Sequence, residues 1–292
     1  RNIDGFHYVR EIQGMKHDRS TPGHSYGGWI QQNDGRPFPM AATYPHYLVD
    51  RAIDFLESLI HRPRGMAPLY LHLDLFAPHQ PFMIPAGMEE REQVLRDLVQ
   101  LPESYQAWRD RDFRAPENEA RIYGLYRKWW GLYDEQTARD YSVANLLQME
   151  VIDRALERFV SKLREKDLYE NSVLLLAGDH GEMNVEQGLI DKGVYGHPKA
   201  ARVPLMLKLP GNKHGGDAID SPVCLLDVAP TVFELTGVRP YARIDGESLL
   251  KRLAPRESLR ETPFLFEAGL HVAPNPAVAM HLYEGPERHF RY

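Results

Sequence analysis

The pattern of apolar and polar positions points first to one short segment. Val173 to Ala177 is an apolar run bounded by polar residues, and it ends at Gly178. A run of this length with such boundaries predicts a buried strand. Asp179 and His180 follow directly. In open α/β sheets, ligands bind beyond the carboxyl ends of the strands, so these two side chains occupy a position suited to a site.

Other segments predict further strands. Leu69 to Phe76 alternates between apolar and polar side chains, which is typical of a half-buried strand. Apolar segments at 263–267 and 278–283, and a short one beginning at His289, predict additional strands near the end of the chain.

Longer segments carry the spacing of amphipathic helices. Apolar residues recur at steps of three and four in 43–60 and again in 137–166, where charged residues fill the opposite face. A shorter helix is predicted for 228–235, with Asp227 as its N-cap and Gly237 as its end. The helix over 137–166 would cover the sheet and lead into the strand at 173–177.

Composition excludes several classes of protein. The 292 residues carry a net charge of −6 with no block of basic residues, so no nucleic-acid partner is expected. No apolar run approaches the roughly 20 residues of a membrane helix, so no membrane partner is expected either. Cys224 is the single cysteine, which rules out an internal disulfide but leaves the cellular compartment open.

Four side chains are candidates for chemistry. Asp179 and His180 could hold a metal ion, because carboxylate oxygen suits Ca²⁺ or Mg²⁺ and imidazole suits softer ions. Lys192 lies on the following loop, where its ammonium could meet an anion. His79 follows the predicted strand 69–76 and is flanked by prolines that stiffen its backbone. One carboxylate, two imidazoles and one ammonium fit the hydrolysis of an anionic ester.

The ordered motifs resemble the sulfatase branch of the alkaline phosphatase superfamily. They are Asp-His-Gly-Glu-Met from Asp179, Lys-Gly at Lys192, Arg-Val-Pro-Leu from Arg202, Pro-His-Gln-Pro around His79, and Leu-Asp-Val-Ala-Pro-Thr from Leu226. This resemblance implies an α/β fold with a mixed, largely parallel central sheet flanked by helices and a small antiparallel portion at the C-terminal end. It also implies a sulfatase-like domain over 1–240 and the start of a smaller subdomain over 241–292.

The resemblance implies a role for each candidate. Asp179 and His180 would be metal ligands, with Ca²⁺ as the family's expected ion and Mg²⁺ as the alternative. Lys192 would bind the ester oxygens of a small anionic substrate. His79 would help to bind the sulfate or protonate the leaving oxygen. Gln187 is a departure, because many relatives have histidine there.

A larger departure is the family's nucleophile, which is a cysteine converted to formylglycine, or a serine, in Cys/Ser-x-Pro-x-Arg. No segment matches that motif, and Cys224 is followed by two leucines. We therefore expect formylglycine in a segment upstream of Arg1, or a partner chain that completes the site. The expectation is that these 292 residues alone do not turn over sulfate esters.

Three alternatives remain at this level. A phosphonate or phosphodiester hydrolase of the same superfamily would act on esters of similar shape and charge. A non-catalytic sulfatase-like module would bind an anionic ligand or a partner chain. A generic α/β domain, in which the motifs only pack, is disfavoured because the motifs occur together and in order.

Overall fold

A computed structural model describes residues 39–59, 69–79, 82, 84–114, 116–130, 132–193 and 196–253, together with three strands near the C-terminal end. The helices, in chain order, are α1 (Tyr44–Ser58), α2 (Glu89–Leu98), α3 (Glu103–Asp110), α4 (Arg121–Trp130), α5 (Glu135–Glu165), α6 (Pro198–Ala201) and α7 (Val228–Thr236). The strands are β1 (Leu174–Ala177), β2 (Leu205–Lys208), β3 (Phe264–Gly269), β4 (Val278–Glu284) and β5 (His289–Arg291).

The chain divides into two compact units. The first takes residues 1–117 and 131–167, and the second takes residues 118–130 and 168–292. Helix α4 therefore belongs to the second unit although the helices on either side of it in sequence belong to the first. The predicted division into 1–240 and 241–292 stays a prediction. Within the described ranges, no helix combines the length and the apolar character needed to cross a membrane.

The first unit is built around helix α5, which confirms the helix predicted over 137–166. Asp134 begins the helix, because its Oδ1 accepts a hydrogen bond from the backbone N–H of Thr137 at 2.8 Å. The apolar stripe of α5 then meets α2 in a buried cluster of Met88, Leu95, Val143, Leu147 and Val151. Helix α1 confirms the helix predicted over 43–60 and also packs against α5.

The strand predicted for 69–76 is wrong. The backbone there has no strand assignment, and Leu69 and Tyr70 are 42% and 66% exposed. A strand is defined by its ladder of hydrogen bonds to a neighbour. The described part of the chain supplies no such neighbour to this segment.

Among its described residues, the second unit has two small antiparallel sheets. β1 pairs with β2 in a register that joins Leu174 to Lys208 and Ala177 to Leu205. β3, β4 and β5 form a three-stranded sheet, which confirms the predicted antiparallel portion near the end of the chain. The predicted largely parallel central sheet is not present among the described residues. β1 was expected to be buried, but Leu176 is 39% exposed because a two-stranded sheet covers little of its own surface.

Helix α7 confirms the predicted helix after Asp227, and it ends at Gly237 with a positive φ of 69°. Asp227 is the N-cap residue by position, but the prediction that its side chain caps the helix is wrong, because that side chain makes no capping hydrogen bond. Its carboxylate is buried and instead accepts hydrogen bonds from the backbone N–H groups of Cys224 and Glu247, both at 2.9 Å. Thr231 of α7 makes a second contact with the same segment, because its hydroxyl accepts a hydrogen bond from the N–H of Leu249 at 2.8 Å. The segment at 247–249 is thus fixed to the start of α7.

Candidate functional site

Asp179 and His180 lie directly after β1. The N–H of Gly178 donates to the carbonyl of Pro204 at 3.2 Å, which extends the pairing of β1 with β2 to the residue before the aspartate. Asp179 then turns outward, and its side chain is 88% exposed. Its Oδ1 accepts from the N–H of His180 at 2.9 Å, and its Oδ2 lies 3.6 Å from Nε2 of His180. The two side chains therefore face each other.

The proton on His180 can be assigned from its neighbours. Nδ1 of His180 lies 2.9 Å from the carbonyl oxygen of Gly181. A carbonyl oxygen only accepts, so Nδ1 carries the hydrogen in this contact. In the neutral ring Nε2 then presents a lone pair on the side of the Asp179 carboxylate. Two acceptors in that arrangement could bind one metal ion between them.

Gly181 allows the chain to pass very close to α6. Its N–H donates to the carbonyl of Ala200 at 2.8 Å. A Cβ at this position would lie 1.9 Å from the carbonyl oxygen of Lys199 and 2.7 Å from that of Arg202. Only glycine fits, and the backbone beside His180 is therefore fixed against α6.

The loop from Gly181 to Lys192 is closed by Glu182. Its Oε1 accepts from the N–H of Asn184 at 3.1 Å and from the N–H of Asp191 at 2.5 Å. A backbone bond from the N–H of Met183 to the carbonyl of Asp191, at 3.2 Å, joins the same two ends. These contacts give Glu182 a structural role. They also hold the residues next to His180 and Lys192 together at the base of one loop.

Lys192 is paired with a carboxylate that sequence reasoning missed. Asp191 is 7% exposed, and its Oδ1 accepts from the N–H of Lys192 at 2.8 Å and lies 3.4 Å from Nζ of Lys192. Asp191 has a positive φ of 69°, which Asp tolerates better than most residues. The carboxylate restrains the ammonium, while about a third of the lysine side chain stays exposed. In the sequence, the only indication of this ion pair was that Asp191 stands directly before Lys192.

Helix α4 supports the other side of this loop. Tyr123 and Tyr126 pack against a buried cluster of Met183, Leu189 and Ala200. Burial, and next the charge of Asp191, raise the pKa of the Tyr126 hydroxyl. Helix α4 therefore covers this loop.

His79 lies in a turn of the first unit. Its N–H donates to the carbonyl of Phe76 at 3.1 Å, and its ring lies on that of Phe76 with centroids 4.9 Å apart. Gln80 and Pro81, which complete its motif, lie outside the described residues. Asp179, His180 and Lys192 belong to the second unit. The structure thus places Asp179 and His180 just before the loop that Glu182 closes and Lys192 at its other end, and the grouping of His79 with them stays a prediction.

Asp179 and His180 could supply only part of the ligand set of a metal ion. Asp179 supplies carboxylate oxygens and His180 an imidazole nitrogen. In the described ranges, no group of three or more His, Cys, Asp or Glu side chains is placed to hold a metal ion. Ca²⁺ takes six to eight oxygen ligands. The pair therefore fits as one portion of a coordination shell that needs further ligands.

Comparison with known proteins gives the class of this chain. A structure of the phosphonate monoester hydrolase SpPMH from Silicibacter pomeroyi superposes with a TM-score of 0.70 at 16% identity, covering 96% of this chain and 58% of that one. That likeness shows that this chain shares the fold of that protein.

The sequence comparisons identify the family within that class. The family model for sulfatases matches residues 3–238, and the chain belongs to the sulfatase family. An uncharacterized sulfatase, YidJ, from Escherichia coli K12 is 26% identical over 223 residues, which is 73% of this chain and 40% of the relative. An arylsulfatase from Clostridium perfringens is 24% identical over 259 residues, which is 87% of this chain and 50% of the relative. The chain spans about half the length of these relatives or less.

Proposed function

We propose that this chain forms part of a sulfuric ester hydrolase and carries the metal-binding and anion-binding portion of its site. The observation that supports this most is the loop closed by Glu182. It fixes the His180 end and the Lys192 end of one segment against each other in a member of the sulfatase family. Hydrolysis of a sulfate ester needs positive charge at the ester oxygens and a proton for the leaving oxygen.

Each candidate residue has a defined part in this proposal. Asp179 and Nε2 of His180 would bind a divalent ion, Ca²⁺ or Mg²⁺, which when bound supplies neutralisation of the ester's negative charge. Lys192 would bind a non-bridging sulfate oxygen through its ammonium, held in place by Asp191. His79 would bind the ester or donate a proton to the alcohol oxygen as the bond from that oxygen to sulfur breaks. The attacking group is proposed to be a formylglycine outside these 292 residues.

A rate measurement tests the proposal. The protein containing this chain with its encoded flanking sequence would be assayed on 4-nitrophenyl sulfate. Lys192→Ala and Asp179→Asn are each expected to lower kcat/KM by about 100-fold or more, the scale for removing a group that stabilises developing charge. Lys213→Ala, at an exposed lysine of the same unit, is the matched control and should leave the rate unchanged. Unchanged kcat/KM in Lys192→Ala would refute the assignment of Lys192.

The fold also supports a second candidate, a phosphonate monoester hydrolase. The support is the superposition on a protein of that name over 96% of this chain. Phosphonate and sulfate esters share a tetrahedral centre and negative charge, so the loop described above would suit either. Parallel kcat/KM values for a sulfate ester and a phosphonate ester, measured on the same preparation, decide between them. Binding of inorganic sulfate with no turnover of either ester would favour a non-catalytic module.

A further inference from the structure

Arg127, whose guanidinium forms a buried ion pair, connects helix α4 to the loop that carries Lys192. The guanidinium of Arg127 contacts both carboxylate oxygens of Glu119, with Nη2 to Oε1 at 2.6 Å. The side chains of Arg127 and Glu119 are only 4% and 9% exposed. The guanidinium also makes a hydrogen bond through Nε, which donates to the carbonyl of Gln187 at 2.8 Å. One arginine thus fixes helix and loop together.

Gln187 is a position where the loop needs such a contact. Its φ is +55°, in the left-handed region that residues with side chains seldom adopt. Val185 nearby has a φ of +72°, which is rarer still for a β-branched residue. A backbone held in these conformations persists only when its surroundings determine it. The Arg127 hydrogen bond and the packing of α4 supply those surroundings.

The constraint continues from Gln187 to Lys192 without a break. Leu189 and Ile190 are 1% and 3% exposed, so the segment that follows Gln187 is packed. Asp191 is then held by Glu182 through its N–H, and Asp191 in turn restrains Lys192. A shift of the loop at Gln187 would therefore change where the ammonium of Lys192 lies.

We infer that Arg127 is a positioning residue: through the Gln187 carbonyl, it holds the loop in the shape that presents Lys192 to an anion. This inference rests on the proposed function for the part played by Lys192. Arginine suits the task because its planar fork makes the bidentate contact and its Nε–H remains for the carbonyl. A buried ion pair is weak evidence for stabilisation, since apolar replacements of both partners are often neutral, and positioning accounts for its presence better.

The test uses two measurements on the whole chain. The first is amide hydrogen exchange of the loop peptides covering 183–191. The second is protection of Lys192 from an amine-acylating reagent by sodium sulfate, compared with sodium chloride at equal ionic strength and measured by peptide mass spectrometry. The variants are Arg127→Met, Arg127→Lys and the double variant Glu119→Gln/Arg127→Met. Arg121→Met, at the exposed first residue of the same helix, is the control.

Arg127→Met is expected to raise exchange in the loop by about tenfold or more, the scale for one lost hydrogen bond from a charged donor, and to abolish sulfate protection of Lys192. Arg127→Lys should not rescue protection, because an ammonium lacks the directed fork. The double variant should recover thermal stability relative to Arg127→Met, because it leaves no unpaired buried charge, yet it should still lack protection. Arg121→Met should match the wild type in both measurements.

Two results would overturn the inference. Wild-type exchange and protection in Arg127→Met would show that the loop does not depend on Arg127. Protection restored in the double variant together with stability would show that Arg127 acts only through stability. If sulfate fails to protect Lys192 in the wild type while loop exchange still rises in Arg127→Met, the anion role of Lys192 is refuted and the anchoring of the loop is upheld.

Discussion

Gly181→Ala gives the sharpest test of the backbone that carries the site. The added Cβ would lie 1.9 Å from the carbonyl oxygen of Lys199, 2.7 Å from that of Arg202 and 2.9 Å from the carbonyl carbon of Lys199. These are backbone atoms, so no side-chain rotation relieves the clash. Either the chain beside His180 or helix α6 must move by an ångström or more.

The cost follows from two contributions. Forcing an extra carbon into a packed site typically costs about 1–3 kcal/mol. The movement also breaks the 2.8 Å hydrogen bond from Gly181 N–H to Ala200, at roughly 0.5–1.5 kcal/mol. The free energy of unfolding should therefore fall by about 1.5–4.5 kcal/mol, a large share of the roughly 5–15 kcal/mol that holds a native protein together.

Urea unfolding followed by circular dichroism measures this change, with Gly124→Ala as the matched control. Gly124 lies within α4 of the same unit, and its Cβ would meet nothing within 4 Å. Alanine there should stabilise the protein by up to about 1 kcal/mol through helix propensity. A Gly181→Ala protein within about 0.5 kcal/mol of the wild type, the range of an ordinary surface substitution, would contradict the close approach of the loop to α6.

Three further predictions concern buried polar groups. Asp227→Asn should lower the free energy of unfolding by about 1–3 kcal/mol in urea titrations, because an amide has one acceptor oxygen where the carboxylate accepts two backbone N–H groups. Burial, and next the charge of Arg158, lower the pKa of His46 below 6.5. The folded protein therefore favours the neutral ring. The stability that this provides is present above pH 6.5 and is lost as the pH falls below that value. The drop in Tm from pH 7 to pH 5 should therefore be smaller in His46→Gln than in the wild type, and an equal drop would contradict this. Burial raises the pKa of Tyr44 to about 12. The stability provided by its neutral form is therefore lost as the pH rises from about 10 to 12. The difference in absorbance at 295 nm between the wild type and Tyr44→Phe should titrate near pH 12 and not near pH 10.

The helices were predictable because their signals are local. The apolar spacing of 137–166 predicted α5 to within two residues, since a helix makes its hydrogen bonds within itself. Strands depend on partners that lie elsewhere in the chain. The strand predicted for 69–76 has no partner among the described residues, and the periodicity of one segment carries no information about that.

The residues of the candidate site also differ in whether the local sequence reveals them. Asp179, His180 and Lys192 could be chosen from the sequence because they sit in a motif and at the end of an apolar run. The carboxylate of Asp191 could have been noticed beside Lys192. Arg127 could not, because it lies 60 positions from the Gln187 carbonyl that it contacts. Such contacts arise only when the chain has folded.

The central claim is that Asp179 and His180 hold a cation while Lys192 holds an anion on the same loop. The most direct measurement is a crystal structure of the protein with its flanking sequence, grown with calcium and inorganic sulfate. We predict an ion bound by a carboxylate oxygen of Asp179 and by Nε2 of His180, with sulfate in contact with Nζ of Lys192. Calcium and sulfate bound elsewhere, with Asp179 and Lys192 on separate surfaces, would contradict the account.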